Sequence, residues 1–202
     1  LNFLEDAYLN SYLRVLNDKW QNFVKDYSIN LSNHQRSFYK TKISPITSKN
    51  QKAFVIISDA MRFECGKELS KLISYENTDN RSFIVKENYM ISSLPSYTQL
   101  GMASLLPNKE LEIKSTDDTV YADGKSSKGK EARIKILKNE NINSIAFSDE
   151  EFLLLNKSDA KELTKSNNVI YIYHNEIDST GDDAISEEKV FDAVERTFKQ
   201  LT

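Results

Sequence analysis

The chain has 202 residues, with 27 Lys+Arg against 30 Asp+Glu and a formal net charge of −3 at pH 7. That balance excludes a strongly basic nucleic-acid arm and leaves no electrostatic footprint for direct duplex DNA binding. A hydrophobic fraction of 39% and a mean hydropathy of −0.55 belong to a globular chain, and no apolar run approaches the ~18–20 residues that a membrane-spanning helix requires.

This length predicts one domain or one and a half, burying roughly 70% of the unfolded surface. The single cysteine, Cys65, excludes an internal disulfide, so a cytoplasmic location is expected. The first residue is Leu1, with no initiator Met and no secretory pattern, and Val190, Val194, Phe198 and Leu201 keep helical spacing to the last residues. Both ends are those expected of a piece cut from a longer protein.

Taken in chain order, residues 1–27 place Leu4, Tyr8, Tyr12, Val15, Leu16, Trp20, Phe23 and Val24 at helical intervals. They predict one long amphipathic helix whose aromatic stripe is a packing face. Residues 28–51 show no clear period and predict a connector with one short helical turn, in which His34 reads as a surface histidine. Residues 53–58, Ala-Phe-Val-Ile-Ile-Ser, form an unbroken apolar run rich in β-branched side chains, as expected of a parallel strand buried on both faces. A helix over 60–73 follows, with Met61, Cys65, Leu69, Leu72 and Ile73 facing inward. Near-alternation of Phe83, Val85, Tyr89 and Ile91 predicts a second, exposed or edge strand over 81–92, followed by a short helix over 99–106 that stops at Pro107.

Residues 108–130 are polar and charged and predict a surface excursion. Within them, 123–130 superficially resembles a phosphate-binding loop but lacks GxxxxGK[ST] spacing, so a flexible basic loop is expected. Beyond lie a helix over 131–138, a strand over 142–147, helical pieces over 149–165 and a second solid apolar strand over 169–173.

Each of the two strongest strands ends in a metal-capable side chain, Asp59 after the first and His174 after the last. In open α/β sheets ligands gather outside the carboxyl ends of strands, so parallel pairing would put both on one rim. For Asp59 the competing role is a helix N-cap, and the residue alone does not choose between them. Asp178, four residues after His174, would share a helical face with it, as a cation-binding pair or as part of a capped turn beside a structural histidine. Thr98 precedes a helix, where free N–H groups favour a phosphate or a deprotonated oxygen, or where it is an N-cap.

Three separated blocks make the whole recognisable: Phe54-Val55-Ile56-Ile57-Ser58-Asp59-Ala60-Met61-Arg62-Phe63-Glu64, then Ser93-Leu94-Pro95-Ser96-Tyr97-Thr98-Gln99-Leu100-Gly101-Met102-Ala103, then Tyr171-Ile172-Tyr173-His174-Asn175-Glu176-Ile177-Asp178-Ser179-Thr180-Gly181-Asp182. With Tyr121 to Ser127 between them, they closely resemble the PglZ family of BREX phage-defence systems, within the alkaline phosphatase-like superfamily, over roughly residues 50–202. The resemblance implies an incomplete α/β three-layer sandwich with a largely parallel sheet, as the N-terminal part of a PglZ domain over 51–202, preceded by a helical segment and connector over 1–50. It also implies a phosphohydrolase, more specifically a phosphodiesterase, that uses two metal ions, zinc or alternatively manganese.

Carried over by residue, the resemblance makes Thr98 the nucleophile and, with Asp59, a ligand of one metal, while His174 and Asp178 ligate the other. Arg62 is placed for a phosphate contact or for orienting Asp59, with a surface ion pair as its alternative. Two departures stand out. His174 precedes Asp178, whereas the superfamily commonly puts an aspartate before a histidine, and no histidine follows Asp178. The missing ligands are then expected beyond Thr202, and this piece by itself is expected to be inactive. A phosphate-ester substrate and partners among other BREX proteins, such as a DNA methyltransferase, are implied. The rival function is a non-catalytic scaffold. A nucleotide-binding domain ranks last, because Ser58-Asp59-Ala60-Met61 offers no Gly-rich turn.

Overall fold

A computed structural model of the chain describes residues 2–26, 33–75, 84–114, 118–182 and 188–202. The chain divides into two units, Leu1–Ser32 and Asn33–Thr202.

The first unit is a continuous helical run, α1 (Asn2–Asp6), a π-helical stretch (Ala7–Leu13) and α2 (Arg14–Asp26). The predicted aromatic stripe is not buried. Leu4, Tyr8, Tyr12, Trp20 and Phe23 are all more than half exposed. Among the described residues of this unit no second element covers the apolar face, and the rings lie on one another, with Tyr8–Tyr12 and Trp20–Phe23 centroids each 5.8 Å apart.

The second unit is built on a parallel sheet of β1 (Ala53–Ser58), β5 (Ser144–Ser148) and β6 (Val169–His174), in the order β1-β6-β5. The central strand β6 is buried at every residue but Tyr173, which is half-buried, as its continuous apolar run requires. Edge strand β1 departs from the expectation of two buried faces. Ala53 and Val55 are buried, whereas Phe54 and Ile56 are about half exposed, at 49% and 50%. Register explains the split. Phe54, Ile56 and Ser58 stand beside Ile170, Ile172 and His174, on the face that helix α10 (Val190–Leu201) reaches at β6 through the Gln200–His174 hydrogen bond. Among the described residues nothing buries the β1 part of that face.

The opposite face carries the main core. Val55, Val169 and Tyr171 pack with Tyr39, Ile43 and Leu106 and with Ile136 and Leu137 of α6 (Lys130–Glu140). Helices therefore lie on both sides of the sheet, and the chain has the mixed α/β architecture of an incomplete alkaline phosphatase-like fold. Around the sheet lie α4 (Phe63–Tyr75), α5 (Thr98–Ser104), α7 (Asp149–Leu153), α8 (Lys157–Ser166) and α9 (Glu176–Gly181).

Three predicted stretches differ. The connector is more ordered than expected: a 3-10 turn (Gln35–Ser37), a π-helical turn (Tyr39–Ile43) and α3 (Ser44–Thr47) follow one another, with Tyr39 and Ile43 in the core. His34 is half-buried and caps the first of these, its Nδ1 accepting from the Arg36 N–H at 3.2 Å. Where a second strand was expected, residues 81–83 lie outside the described residues, and 84–92 form only a single bridge, Ile91 with His34. Alternating apolar residues do not make a strand without a neighbouring strand to pair with.

The predicted surface excursion contains an antiparallel sheet, β2 (Leu111–Ile113), β3 (Val120–Ala122) and β4 (Lys125–Ser126). The stretch expected to be a flexible basic loop is instead a hairpin turn and its exit. Asp123 and Gly124 take φ of 49° and 76°, the paired left-handed conformations of a two-residue hairpin that Asp-Gly favours. The Asp123 carboxylate accepts from the Lys109 and Glu110 N–H groups, and the buried Ser127 donates its hydroxyl to the Val120 carbonyl at 2.7 Å.

Candidate functional site

Parallel register brings the two strand ends side by side. Ser58 pairs with His174, and the Asp59 N–H donates to the His174 carbonyl at 2.9 Å. Asp59 thus sits at the carboxyl rim directly beside β6. Helix α4 starts only at Phe63, so Asp59 is not its cap. Its Oδ1 accepts instead from the Ala60 N–H at 3.0 Å. Ala60 has φ of 56°, a left-handed conformation that costs a residue with a Cβ about 1 kcal/mol or more and that concentrates at functional turns. The following Arg62 is exposed and forms no ion pair among the described residues.

His174 is 2% exposed and both its ring nitrogens are engaged. Nδ1 lies 3.0 Å from the Ser58 hydroxyl and Nε2 lies 2.8 Å from Gln200 Oε1. An amide oxygen only accepts, so Nε2 carries the proton and Nδ1 accepts from Ser58. Asp149 Oδ2 stands 3.7 Å from Nε2. The imidazole therefore braces β1, β6 and α10, and it could reach a metal only by releasing Ser58 or Gln200.

Asp178 is the third residue of α9, which follows directly on Asn175. Burial pushes its carboxyl above the usual range, and the charges of Asp59 and then Asp182 push in the same direction. Asp59 and Asp178 are therefore near enough to repel. Asp182 was not singled out from the sequence, although its spacing of four from Asp178 is the same helical-face signal that joined His174 to Asp178. A carboxyl that titrates high in the folded state opposes folding once ionised. Stability should fall as pH rises through the ordinary carboxylate range toward the raised value and stay lower above it. In the presence of a chelator, Asp178→Asn is expected to raise the thermal midpoint at pH 7. The gain should vanish below about pH 3, where both states are protonated. Thermal unfolding at the two pH values checks this.

Thr98 is the first residue of α5, but Tyr97 holds the N-cap position and no side chain caps the helix. Thr98 is exposed, which removes the capping role that competed with nucleophile. Its helix is firmly held. Leu100 and Ala103 pack on Val120, Ser104 shares a 2.7 Å hydrogen bond with Ser93, and the Tyr171 hydroxyl donates to the Leu105 carbonyl at 2.7 Å. Next to Thr98, the Gln99 side-chain oxygen accepts from Arg133, whose guanidinium lies 4.8 Å from the Tyr173 ring centroid. The start of α5 is thereby connected to the last residues of β6.

Comparison with known proteins gives this arrangement its context. The family model for the BREX system PglZ alkaline phosphatase-like domain matches residues 38–202. The chain belongs to the PglZ family. The match begins before the region of resemblance read from the sequence and takes in the turns that carry Tyr39 and Ile43 into the core. The chain is 34% identical over 203 residues to the alkaline phosphatase-like protein PglZ of Bacillus cereus (strain H3081.97), covering 98% of this chain and 23% of that protein. It is 37% identical over 209 residues to the alkaline phosphatase-like protein BrxZ of Escherichia coli O9:H4 (strain HS), covering 99% and 24% respectively. The chain thus spans about a quarter of the length of these curated relatives.

Within this PglZ chain Asp59 stands at the rim beside β6, its charge reaches the Asp178 carboxyl, and His174 is spent on internal bonds. Among the described residues no group of three or more His, Cys, Asp or Glu side chains is arranged to hold a metal ion. The family's alkaline phosphatase-like character points to metal dependence in general. The Asp59 and Asp178 carboxylates and the exposed Thr98 hydroxyl are of the chemical types such a centre uses, and by themselves they do not complete one. Among the described residues no helix is long and apolar enough to cross a membrane.

Proposed function

We propose that the protein carrying this chain is a metal-dependent phosphohydrolase, a phosphodiesterase, acting in the cytoplasm within a BREX phage-resistance complex. The observation that carries this reading is the parallel register that sets Asp59 beside the His174 end of β6 at the carboxyl rim, with Asp178 four residues on and its carboxyl raised by burial and then by the charge of Asp59. Residues 51–202 are in this reading the N-terminal part of the catalytic domain, with the segment over 1–50 preceding it. Two divalent ions, zinc or manganese, are the cofactors that family membership favours. When bound, such a metal supplies the Lewis acidity that lets an unactivated threonine act at neutral pH.

This chain's own residues would then contribute as follows. Asp59 and Asp178 provide carboxylate ligands, and Thr98 offers an exposed hydroxyl on an anchored helix. The Thr98 oxygen attacks phosphorus in line, forming the Thr98 Oγ1–phosphorus bond as the bond to one ester oxygen breaks, and the hydroxyl proton leaves with that alcohol by way of water. Water then cleaves the resulting threonine phosphodiester, releasing the phosphate monoester and restoring the Thr98 hydroxyl. Arg62, exposed and without an ion pair among the described residues, is available to the phosphate. The resemblance gives His174 to the second metal, but its two internal hydrogen bonds favour a bracing role.

The second reading is a scaffold that binds other BREX components such as a DNA methyltransferase. It draws on the lack of a three-donor group among the described residues. The full-length protein, supplied with Zn²⁺ or Mn²⁺ and bis(4-nitrophenyl) phosphate, separates the two. Metal-dependent release of nitrophenol that a chelator stops is expected. Metal binding without turnover would favour the scaffold.

A further inference from the structure

Arg133, on α6, is half-buried, and its surroundings are unusual for a guanidinium. Its Nε–H donates to the Ser127 carbonyl at 3.1 Å, and Nη2 donates to the Gln99 amide oxygen at 3.5 Å. Its central guanidinium carbon lies over the Tyr173 ring, 4.8 Å from the centroid. Every one of these partners is neutral. No carboxylate pairs with Arg133 among the described residues, whereas Arg196 has Glu176 and Lys130 has Glu151. Burial pushes the Tyr173 phenol up to about 12, with Arg133 pulling it back, so the ring beneath the guanidinium stays neutral at pH 7. Charged side chains withdrawn from water are ordinarily paired, which leaves a positive charge here without its counter-ion.

The position of that charge is specific. Gln99 directly follows Thr98, and Tyr173 directly precedes His174, so the guanidinium spans the gap between the start of α5 and the carboxyl end of β6. A guanidinium carries five N–H groups. The Ser127 and Gln99 contacts occupy one each and the Tyr173 phenol draws on another, leaving the remaining Nη N–H groups in the planar fork that matches a phosphate.

The geometry points to Arg133 as a substrate-binding residue that takes the anionic oxygens of a phosphate ester beside Thr98. It rests on the phosphohydrolase reading and names the group that recognises its substrate. Ser127, Gln99 and the Tyr173 ring act as positioning residues. They hold the guanidinium plane without neutralising it, so that the ester supplies the missing negative charge. Arg62 is an exposed side chain at the rim, whereas Arg133 is preorganised, and preorganisation lowers the entropic cost of engaging a ligand.

The test measures binding of inorganic phosphate to the full-length protein by calorimetry, alongside KM and kcat for bis(4-nitrophenyl) phosphate. Arg133→Met is expected to weaken phosphate binding by about tenfold or more, with a matching rise in KM. Arg133→Lys keeps the charge but loses the fork, and about threefold or more is expected. Circular dichroism and the thermal midpoint monitor folding, and should the Met variant not fold, the Lys variant decides. A folded variant that binds phosphate within about twofold of wild type overturns the assignment, as does a wild-type protein that binds no phosphate. Phosphate binding that depends on Arg133 in a protein with no diesterase turnover upholds the assignment and overturns the hydrolase reading alone.

Discussion

Thr98→Ala is expected to reduce metal-dependent diester turnover by about 10³-fold or more, equivalent to roughly 4 kcal/mol of transition-state stabilisation. The magnitude follows from the role assigned to the hydroxyl. If Thr98 forms the covalent bond to phosphorus, its removal leaves no nucleophile in the first step, and only direct attack by water remains. The position makes the experiment clean. Thr98 is exposed, and no side chain caps α5, so the substitution should change stability by no more than about 0.5 kcal/mol. The helix is held by Leu100, Ala103 and Ser104, which the variant leaves intact. Thr98→Ser keeps a hydroxyl and should retain most of the activity. Full activity in the alanine variant would remove Thr98 from the chemistry.

His174→Ala is expected to destabilise the protein by about 2–4 kcal/mol, measured by urea unfolding with a chelator present. Two effects add. A buried ring is lost from a site that is 2% exposed, and Ser58 and Gln200 are both left without their partner. His174→Gln keeps a donor that can reach Gln200 and should recover part of the loss. Gln200→Leu should weaken stability in the same direction. These outcomes separate a brace from a metal ligand, because a ligand's removal would cost little in chelator and would instead abolish stabilisation by added Zn²⁺ or Mn²⁺. Unchanged metal-free stability in His174→Ala would contradict the bracing role.

The two positions illustrate different amounts of foresight in the amino-acid text. Thr98 stood out from its block as a candidate, and the structure adds that it is exposed and is not a cap. His174 was identifiable as the end of an apolar strand, but its partners are Ser58 and Gln200, 116 and 26 residues away in sequence. No local pattern names such partners, since they depend on which strand lies beside β6 and which helix crosses it. Arg133 is similar. In the sequence it is one more cation on a polar helix, and only the approach of Gln99 and Tyr173 distinguishes it. Asp182 was within reach, because its spacing from Asp178 is local.

By itself the sequence determined the parallel strands, the helices that follow them, and the family, because apolar runs, 3.6-residue periods and motif blocks are properties of contiguous residues. It over-read two stretches for the same reason. Among the described residues, 84–92 make one bridge and no ladder, and the apolar stripe of the first helix is exposed. The tertiary structure alone decided that β6 is central and β1 an edge with Phe54 and Ile56 exposed, that the charge of Asp59 reaches the Asp178 carboxyl, and that the His174 imidazole is spent on internal bonds. Strand order, burial and the proximity of like charges arise from contacts between segments far apart in the chain, and no window of sequence contains both sides of such a contact.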